Sequence, residues 1–180
     1  KIRLLVKTKS KKYPIIIGSD IINQINYLLN SNNINFEKSL IVFDKNVPKK
    51  KLNIIKQKLK IKKNIIHIFN ANEKNKNFKS INLILNKLFK FNFNRNDCII
   101  SLGGGITGDI SGFAASIYKR GIKFINIPTT LLAQIDSSIG GKTGVNNKYG
   151  KNLIGSFMQP DIVLSDISFL KSLPKRELIC

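Results

Sequence analysis

The chain of 180 residues is long enough for one domain with a substantial core, and its hydrophobic share of 42% is typical of a globular protein. Neither a membrane span of roughly 20 apolar residues nor the apolar segment of a signal peptide is present, which argues against a membrane protein. The formal net charge of +21 is compatible with nucleic-acid binding, but the Lys residues are scattered among Asn and Ile and accompany no nucleic-acid motif.

Short apolar segments in the first half of the chain predict strands that alternate with amphipathic helices. The predicted elements are a hairpin of strands 2–6 and 13–17, a helix at 20–30 capped by Ser19, a strand at 40–43, a helix at 47–59 and a strand at 65–69. The Lys- and Asn-rich segment 70–77 is interpreted as a solvated loop.

The second half continues the alternation. The 3/4 spacing of Phe78, Ile81, Leu85, Leu88 and Phe89 marks one face of a helix. Strands are predicted at 98–102, 124–127 and 162–164, with helices at 108–118, at 129–138 after Pro128, and from Pro174 onward. This alternation predicts an α/β fold, a Rossmann-like and mostly parallel sheet flanked by helices.

A glycine-rich turn follows the predicted strand at 98–102. Gly103, Gly105 and Gly108 satisfy G-x-G-x-x-G between a strand and a helix, the context of a dinucleotide-phosphate loop. Glycines allow close approach of a pyrophosphate, and the helix N-terminus offers free N–H donors. The alternative interpretation is a tight strand–helix turn without a ligand.

The acidic residue that usually accompanies this loop is not at the end of the next strand, which finishes in Pro128. Asp44 instead follows an earlier strand, where it could accept hydrogen bonds from ribose hydroxyls or cap the next helix. We expect Asp44, the glycine loop and Thr129-Thr130 to share the carboxyl edge of the sheet.

Several polar side chains lie in or beside Gly-rich turns after the loop, a combination that indicates a nucleotide and a phosphorylated, hydroxyl-rich substrate bound side by side. They are Arg120, Thr129, Thr130, Asp136, Lys142, Lys151 and Asn152. Lys142 and Lys151 could alternatively be surface charges, and Arg120 a helix C-terminal charge.

His67 is predicted to be structural. Two distant cysteines, Cys98 and Cys180, favour a reducing cytoplasm over a disulfide framework.

The segment LGGGITGDISGFAAS, with YKRG, IPTTLLAQIDSSIGGKTGVN and GKNLIGSFMQP after it, resembles the 3-dehydroquinate synthase family. The resemblance is dense over 102–160. It is thinner but collinear at Tyr13-Pro14, at Asp44 to Val47, at Glu73 with Lys76, and at Leu173-Pro174 with Arg176-Glu177. One departure is Ala71-Asn72, where the family usually has Asp-Gly.

The resemblance implies the second step of the shikimate pathway, which leads to chorismate and the aromatic amino acids. The family converts 3-deoxy-D-arabino-heptulosonate 7-phosphate, a phosphorylated sugar acid, to 3-dehydroquinate with NAD and a zinc-type metal. The cofactor contacts that it implies here are Asp44, Asn46, Glu73, Lys76, Gly104, Gly105, Ile106, Thr107, Gly108, Asp109, Thr129, Thr130, Lys142, Lys151, Phe169 and Ser172. Substrate-side and catalytic roles fall to Asp136, Lys142, Lys151, Asn152 and Arg120, the last reaching a neighbouring subunit of a homodimer.

The resemblance also implies that residues 1–180 form an N-terminal NAD-binding domain without the helical domain that completes the cleft. The metal ligands, a Glu and two His that would hold zinc or cobalt, are expected beyond Cys180, so none is assigned within this chain. A cytoplasmic protein without nucleic-acid or membrane partners is expected. The alternatives are another NAD-dependent sugar phosphate cyclase and an NAD-binding module without catalysis.

Overall fold

The computed structural model describes residues 1–173, except for the side chain of Ser172. Its strands are β1 (Ile2–Lys7), β2 (Lys12–Gly18), β3 (Lys38–Asp44), β4 (Lys63–Phe69), β5 (Cys98–Gly103), β6 (Lys123–Pro128), β7 (Lys142–Asn147), β8 (Gly150–Phe157) and β9 (Ile162–Asp166). Its α-helices are α1 (Ile25–Asn30), α2 (Lys49–Lys58), α3 (Phe78–Lys90) and α4 (Gly105–Ile117). The helix predicted from Pro174 lies outside the described residues.

Seven strands form one sheet in the order β1-β2-β9-β6-β5-β3-β4. The β1–β2 hairpin is antiparallel, and every pairing from β2 to β4 is parallel. Parallel neighbours need crossover connections, which the helices supply. The predicted fold class, a mostly parallel α/β sheet flanked by helices, is therefore confirmed.

The sheet has an apolar core on each face, and β3 shows how the sequence produces both. Ile41 and Phe43 point toward α1 and α2, whereas Leu40 and Val42 point toward α3 and α4. Successive side chains of a strand alternate between faces, so a strand covered on both sides needs an uninterrupted apolar run. None of the helices within residues 1–173 is both long enough and apolar enough to cross a membrane.

The predicted Ser19 cap is wrong. A 3₁₀ turn at Ile21–Gln24 precedes α1, Asp20 adopts a left-handed φ of 53°, and no side chain caps the turn locally. The buried Asp166 carboxylate at the end of β9 accepts hydrogen bonds from the backbone N–H of Asp20 (2.8 Å) and of Ile22 (3.1 Å). A residue 144 positions away therefore satisfies this turn, which local sequence could not indicate.

Three helix predictions need correction. Helix α4 begins at Gly105 rather than at 108, so the glycine loop is partly its first turn. The segment 129–138 contains a short π-helix, Ala133–Ser137, and Pro128 ends strand β6 instead of opening a helix. On α3, Ile81, Ile84 and Leu88 are buried, whereas Phe78 is 43% and Phe89 58% exposed.

A second, two-stranded antiparallel sheet of β7 and β8 occupies the region interpreted as Gly-rich turns. The hairpin lies against α4, where a Cβ built on Gly112 would come within 2.5 Å of Thr143 Cγ2. Lys142 therefore begins a strand rather than lying in a loop. The hairpin carries the substrate-side residues predicted after position 140.

Candidate functional site

Strand order brings three chemically distinct segments to one edge of the sheet. Strand β5 lies between β3 and β6, so Asp44 at the end of β3, the glycine loop after β5 and Thr129 after β6 are neighbours. They surround a cavity of about 540 Å³, which we call the Asp44 cavity. Its lining includes Asp44, Asn46, Gly104, Gly105, Ile106, Thr129, Thr130 and Phe169, as well as Val47, Pro48 and Ala71, which had no assigned role.

The glycines permit close packing at the start of α4. A Cβ on Gly103 would lie 2.8 Å from Asp44 Cβ, and one on Gly104 would lie 3.1 Å from Thr130 Cγ2. Gly104 is the N-cap residue of a 13-residue helix and has no side chain that competes for the first-turn N–H groups. Free N–H donors beside an open backbone fit the pyrophosphate of a dinucleotide.

Asp44 is suited to accepting hydrogen bonds from a ligand. Its carboxylate accepts a hydrogen bond from Asn46 N–H at 3.0 Å, and burial raises its pKa while the backbone N–H groups of Asn46 and Gly104 oppose that shift. Helix α2 begins only at Lys49, after Pro48 as N-cap, so the helix-cap interpretation of Asp44 is wrong. Its remaining hydrogen-bonding capacity faces the Asp44 cavity.

A second cavity, of about 680 Å³, lies between α4, the π-helix and the β7–β8 hairpin. We call it the Lys142 cavity, and its polar lining includes Asp109, Asp136, Ser137, Lys142, Thr143 and Asn152. A Cβ on Gly105, which lines the Asp44 cavity, would lie 2.8 Å from Ser137 Oγ, which lines the Lys142 cavity. The two cavities therefore adjoin at Gly105 and Ser137.

Segment 70–77 is largely the solvated loop that was predicted, with a 3₁₀ turn at Glu73–Asn75, but Lys76 within it is buried. Lys76 Nζ lies 2.5 Å from Asp109 Oδ2 and donates a hydrogen bond to Asn152 Oδ1 at 2.6 Å. Burial raises the pKa of Asp109, and the Lys76 ammonium acts in the opposite direction. Glu73 accepts a hydrogen bond from Asn146 Nδ2 at 2.7 Å. Glu73 and Lys76 therefore join this segment to the hairpin, and neither lines the Asp44 cavity.

Some predicted site residues lie apart from both cavities. Thr107 and Gly108 are buried within α4, and Lys151 is exposed on β8 without lining either cavity. Arg120 is exposed beyond the C-terminal end of α4, which is the end remote from the glycine loop. The side chain of Ser172 is not described.

Thr143, Ser137 and Ser156 line the Lys142 cavity but were not singled out in the sequence. Ser137 lies within the segment that carries the resemblance. Thr143 and Ser156 needed the β7–β8 pairing, which places the Thr143 hydroxyl 2.9 Å from the Ser156 carbonyl oxygen. No signal for that pairing was found in the sequence.

Metal ligands do not converge in the part of the chain that the structure describes. No three His, Cys, Asp or Glu side chains within residues 1–173 are close enough to hold an ion together. His67 is buried on β4, where burial lowers its pKa to about 4, and its Nδ1 has no hydrogen-bond partner. The residues present here do not fit a metal centre.

The chain is similar to known proteins along nearly its whole length. Residues 66–180 match the family model for the N-terminal region of 3-dehydroquinate synthase. The 3-dehydroquinate synthase of Pelagibacter ubique is 62% identical over 179 residues, which are 99% of this chain and 49% of that protein. The chain spans about half the length of the curated relatives it matches.

Two solved structures share the fold. A 2-deoxy-scyllo-inosose synthase in complex with carbaglucose-6-phosphate, NAD⁺ and Co²⁺ superposes with a TM-score of 0.91 at 26% identity, covering 98% of this chain and 48% of that one. The 2-epi-5-epi-valiolone synthase ValA of Streptomyces hygroscopicus, with NAD⁺ and Zn²⁺ bound, superposes with a TM-score of 0.81 at 28% identity, covering 96% and 48%. Because the family model matches well over half of its residues, the chain belongs to the 3-dehydroquinate synthase family.

Proposed function

We propose that this chain is the N-terminal, NAD-binding part of a 3-dehydroquinate synthase. The complete protein would convert 3-deoxy-D-arabino-heptulosonate 7-phosphate to 3-dehydroquinate and phosphate, the second step of the shikimate pathway. One observation carries the proposal: the Asp44 and Lys142 cavities meet at Gly105 and Ser137. A cofactor in the first cavity would lie directly beside a substrate in the second.

The Asp44 cavity would hold NAD through its backbone and one carboxylate. The first-turn N–H groups of α4, beginning at Gly105, would donate to the pyrophosphate, and Asp44 would accept hydrogen bonds from ribose hydroxyls. Thr129 and Thr130 would close the opposite wall. When bound, NAD supplies a reversible hydride acceptor, so a substrate hydroxyl can be oxidised and later restored.

The Lys142 cavity would orient the phosphorylated sugar acid. Lys142 provides a point charge for a phosphate, carboxylate or hydroxyl oxygen, and Asp136 can accept hydrogen bonds from hydroxyl groups. The Asn152 amide nitrogen remains a donor because its oxygen already binds Lys76. The net charge of +21 would raise the local concentration of anionic ligands.

Relatives in this fold contain Co²⁺ or Zn²⁺, and we propose that a divalent metal also serves the complete protein. Because residues 1–173 bring no ligand set together, the ligands would come from outside them. We also place the protein in the cytoplasm, in keeping with the free, buried thiol of Cys98.

A homodimer would give Arg120 a role that its own chain does not offer. Helix α4 has 13 residues, so at 1.5 Å per residue its ends are about 20 Å apart. Asp109 of the Lys142 cavity lies near one end and Arg120 beyond the other. We propose that Arg120 binds the anionic substrate of a neighbouring subunit.

The cofactor assignment is tested with Gly105→Val. A side chain there would collide with Ser137 Oγ and obstruct the approach of the pyrophosphate. We expect NAD binding, measured by calorimetry on the full-length protein, to be abolished while circular dichroism stays unchanged. Equal NAD affinity in the variant and its parent would refute the assignment of the loop.

A second candidate is a different sugar phosphate cyclase, favoured by the TM-score of 0.91 with 2-deoxy-scyllo-inosose synthase. Phosphate release by the full-length protein from a panel of heptulose and hexose phosphates separates the two. We expect turnover with the heptulosonate phosphate alone.

Residues 1–180 by themselves should bind NAD weakly, release no phosphate and bind no stoichiometric zinc, because the described part of the chain lacks a ligand cluster.

A further inference from the structure

The turn that follows α4 has an unusual backbone. Three consecutive residues adopt left-handed φ values: Lys119 at 48°, Arg120 at 62° and Gly121 at 122°. Glycine adopts such angles freely, but a residue with a side chain does so at a cost in free energy, and only where its surroundings fix it. Two such residues side by side therefore need a specific explanation. We call residues 118–121 the Arg120 turn.

Two side chains of the Arg120 turn bind the same backbone atom. The buried Tyr118 hydroxyl donates to the Phe93 carbonyl oxygen at 2.7 Å, and Lys119 Nζ donates to that oxygen at 2.9 Å. The Tyr118 ring also packs against Phe89, with the ring centroids 5.0 Å apart. Phe89 lies in the last turn of α3, and Phe93 lies in the segment just after that helix. The neighbouring helix therefore fixes the backbone from which Arg120 projects.

The backbone of Arg120 is fixed, but its side chain has no partner in its own chain. Arg120 is exposed, and within residues 1–173 its guanidinium takes part in no hydrogen bond, ion pair or ring contact. Glycine or asparagine would adopt the same φ more readily. The arginine adds no contact to its own fold, so its five donors are available to an anionic group of another molecule.

We propose that Tyr118 is a positioning residue that acts across the subunit boundary: it fixes the Arg120 turn and thereby directs Arg120 toward the substrate of the neighbouring subunit. This inference rests on the proposed function, which assigns Arg120 to that substrate. An arginine binds a phosphate or carboxylate through two parallel hydrogen bonds, and this geometry tolerates little displacement of the backbone. A purely structural role would instead confine the effect of Tyr118 to its own subunit.

The first test compares Tyr118→Phe, which keeps the buried ring and removes only the hydroxyl, with Lys38→Met in the full-length protein. Lys38 Nζ donates to the Asn92 carbonyl oxygen at 2.6 Å, so this control removes a hydrogen bond to the same segment after α3 without touching the Arg120 turn. Displacement of a substrate-binding group by about 1 Å costs about a hundredfold in rate. Because Lys119 still holds the turn, we expect Tyr118→Phe to lower kcat/KM for the heptulosonate phosphate by about tenfold. Lys38→Met should leave kcat/KM nearly unchanged, and neither variant should alter the Kd of NAD.

Mixed dimers decide whether Tyr118 acts on the neighbouring subunit. One subunit carries Tyr118→Phe and the other Lys142→Met, and two different affinity tags isolate the mixed dimer. The Tyr118→Phe subunit keeps an intact Lys142 cavity and receives Arg120 from a partner whose turn is unaltered. In a twofold-symmetric dimer this site should have the parental KM, with about half the parental kcat per dimer because the other site contributes little. If kcat/KM at this site stays about tenfold lower, Tyr118 acts within its own subunit and the proposal is overturned.

A double-mutant cycle gives an independent check. On an Arg120→Met background, Tyr118→Phe should have little further effect, because the side chain that it positions is already gone. An equal loss on both backgrounds would contradict the positioning role. Lys119→Met is a second variant, at an exposed residue, and its defect should likewise disappear in the mixed dimer. An active full-length protein that sediments as a monomer would also overturn the proposal.

If the parent protein turns over none of the sugar phosphates, the proposed function fails, but the Arg120 turn still has a direct readout. The Gly121 N–H donates to the Tyr118 carbonyl oxygen at 2.9 Å. This amide should exchange with solvent faster in Tyr118→Phe than in the parent, and at the parental rate in Lys38→Met. Unchanged exchange in Tyr118→Phe would overturn the positioning role independently of any activity.

Discussion

The central sheet and the β7–β8 hairpin support the two cavities in different ways. Strands β3, β5 and β6 are almost entirely buried and are held by apolar packing on both faces. On β8, in contrast, Leu153 is 63% and Phe157 79% exposed. The hairpin is attached to its neighbours by polar groups and by one fully buried apolar side chain, Val145. Substitutions in the sheet should therefore change stability, and substitutions in the hairpin should change substrate handling.

The largest effect is expected from Ile100→Ala on β5. Ile100 is fully buried in the core under the Asp44 cavity, and removing its side chain leaves a cavity that costs about 2–5 kcal/mol of unfolding free energy. Chemical denaturation of the 180-residue chain measures the change. The matched hairpin variant Leu153→Ala should cost less than about 0.5 kcal/mol, because the side chain is already exposed. Equal losses at both positions would remove the distinction between the two regions.

Gly155→Ala should affect the hairpin without affecting the sheet. A Cβ on Gly155 would collide with the Thr143 carbonyl oxygen and lie 2.8 Å from Gly144 Cα, so the strands must separate. We expect about a hundredfold loss of kcat/KM in the full-length protein with nearly unchanged NAD affinity. Gly150→Ala is the control, since its Cβ would meet only the end of the Leu153 side chain, at 3.1 Å. Unimpaired turnover of Gly155→Ala would show that the hairpin does not shape the substrate site.

The same contrast explains which parts of the structure could be predicted. The meeting of Asp44, the glycine loop and Thr129 followed from uninterrupted apolar runs, because buried parallel strands place their carboxyl ends along one edge. The family resemblance added the segment that carries Asp136, Lys142 and Asn152. Sequence reasoning therefore gave the fold class, most of the lining of the Asp44 cavity, and the charged residues of the Lys142 cavity.

The remaining features depend on contacts between distant residues. Strand β7, with the sequence KTGVNN, lacks an alternating apolar pattern and depends on packing against Gly112 of α4. The 3₁₀ turn before α1 relies on Asp166, and burial of Lys76 relies on Asp109 and Asn152. In each case the stabilising partner is far away in sequence, so no local pattern could indicate it.

Lys142→Met tests whether the hairpin supplies chemistry without supplying stability. Lys142 is exposed at the start of β7 and lines the Lys142 cavity. Loss of a hydrogen bond from its charged group should weaken substrate binding by about 1.5–3 kcal/mol. The melting temperature should hardly move. Normal turnover, or a much lower melting temperature, would contradict the assigned role.

The smallest effect should come from His67 and should appear only as the pH falls. Burial lowers the His67 pKa from 6.5 to about 4, so between these values the unfolded chain binds a proton that the folded chain does not. Folding therefore loses stability as the pH drops below 6.5, by about 1 kcal/mol between pH 7.5 and 5.5. That window stays above the usual carboxyl range, where Asp44 and Asp109, whose pKa values are raised by burial, act in the opposite direction.

Urea denaturation of the 180-residue chain at the two pH values measures this loss directly. His67→Leu removes both the titration and the unpartnered Nδ1, so its stability should not show the decline. Lys87→Met is an intermediate case. The Lys87 charge helps to keep His67 neutral, so removing it should leave a smaller decline in stability than in the parent. The hairpin variant Lys142→Met should retain the full decline, because Lys142 lies on the separate β7–β8 sheet and is not among the groups that shift His67. The same pH dependence in His67→Leu and the parent would place the acid-sensitive group elsewhere in the chain.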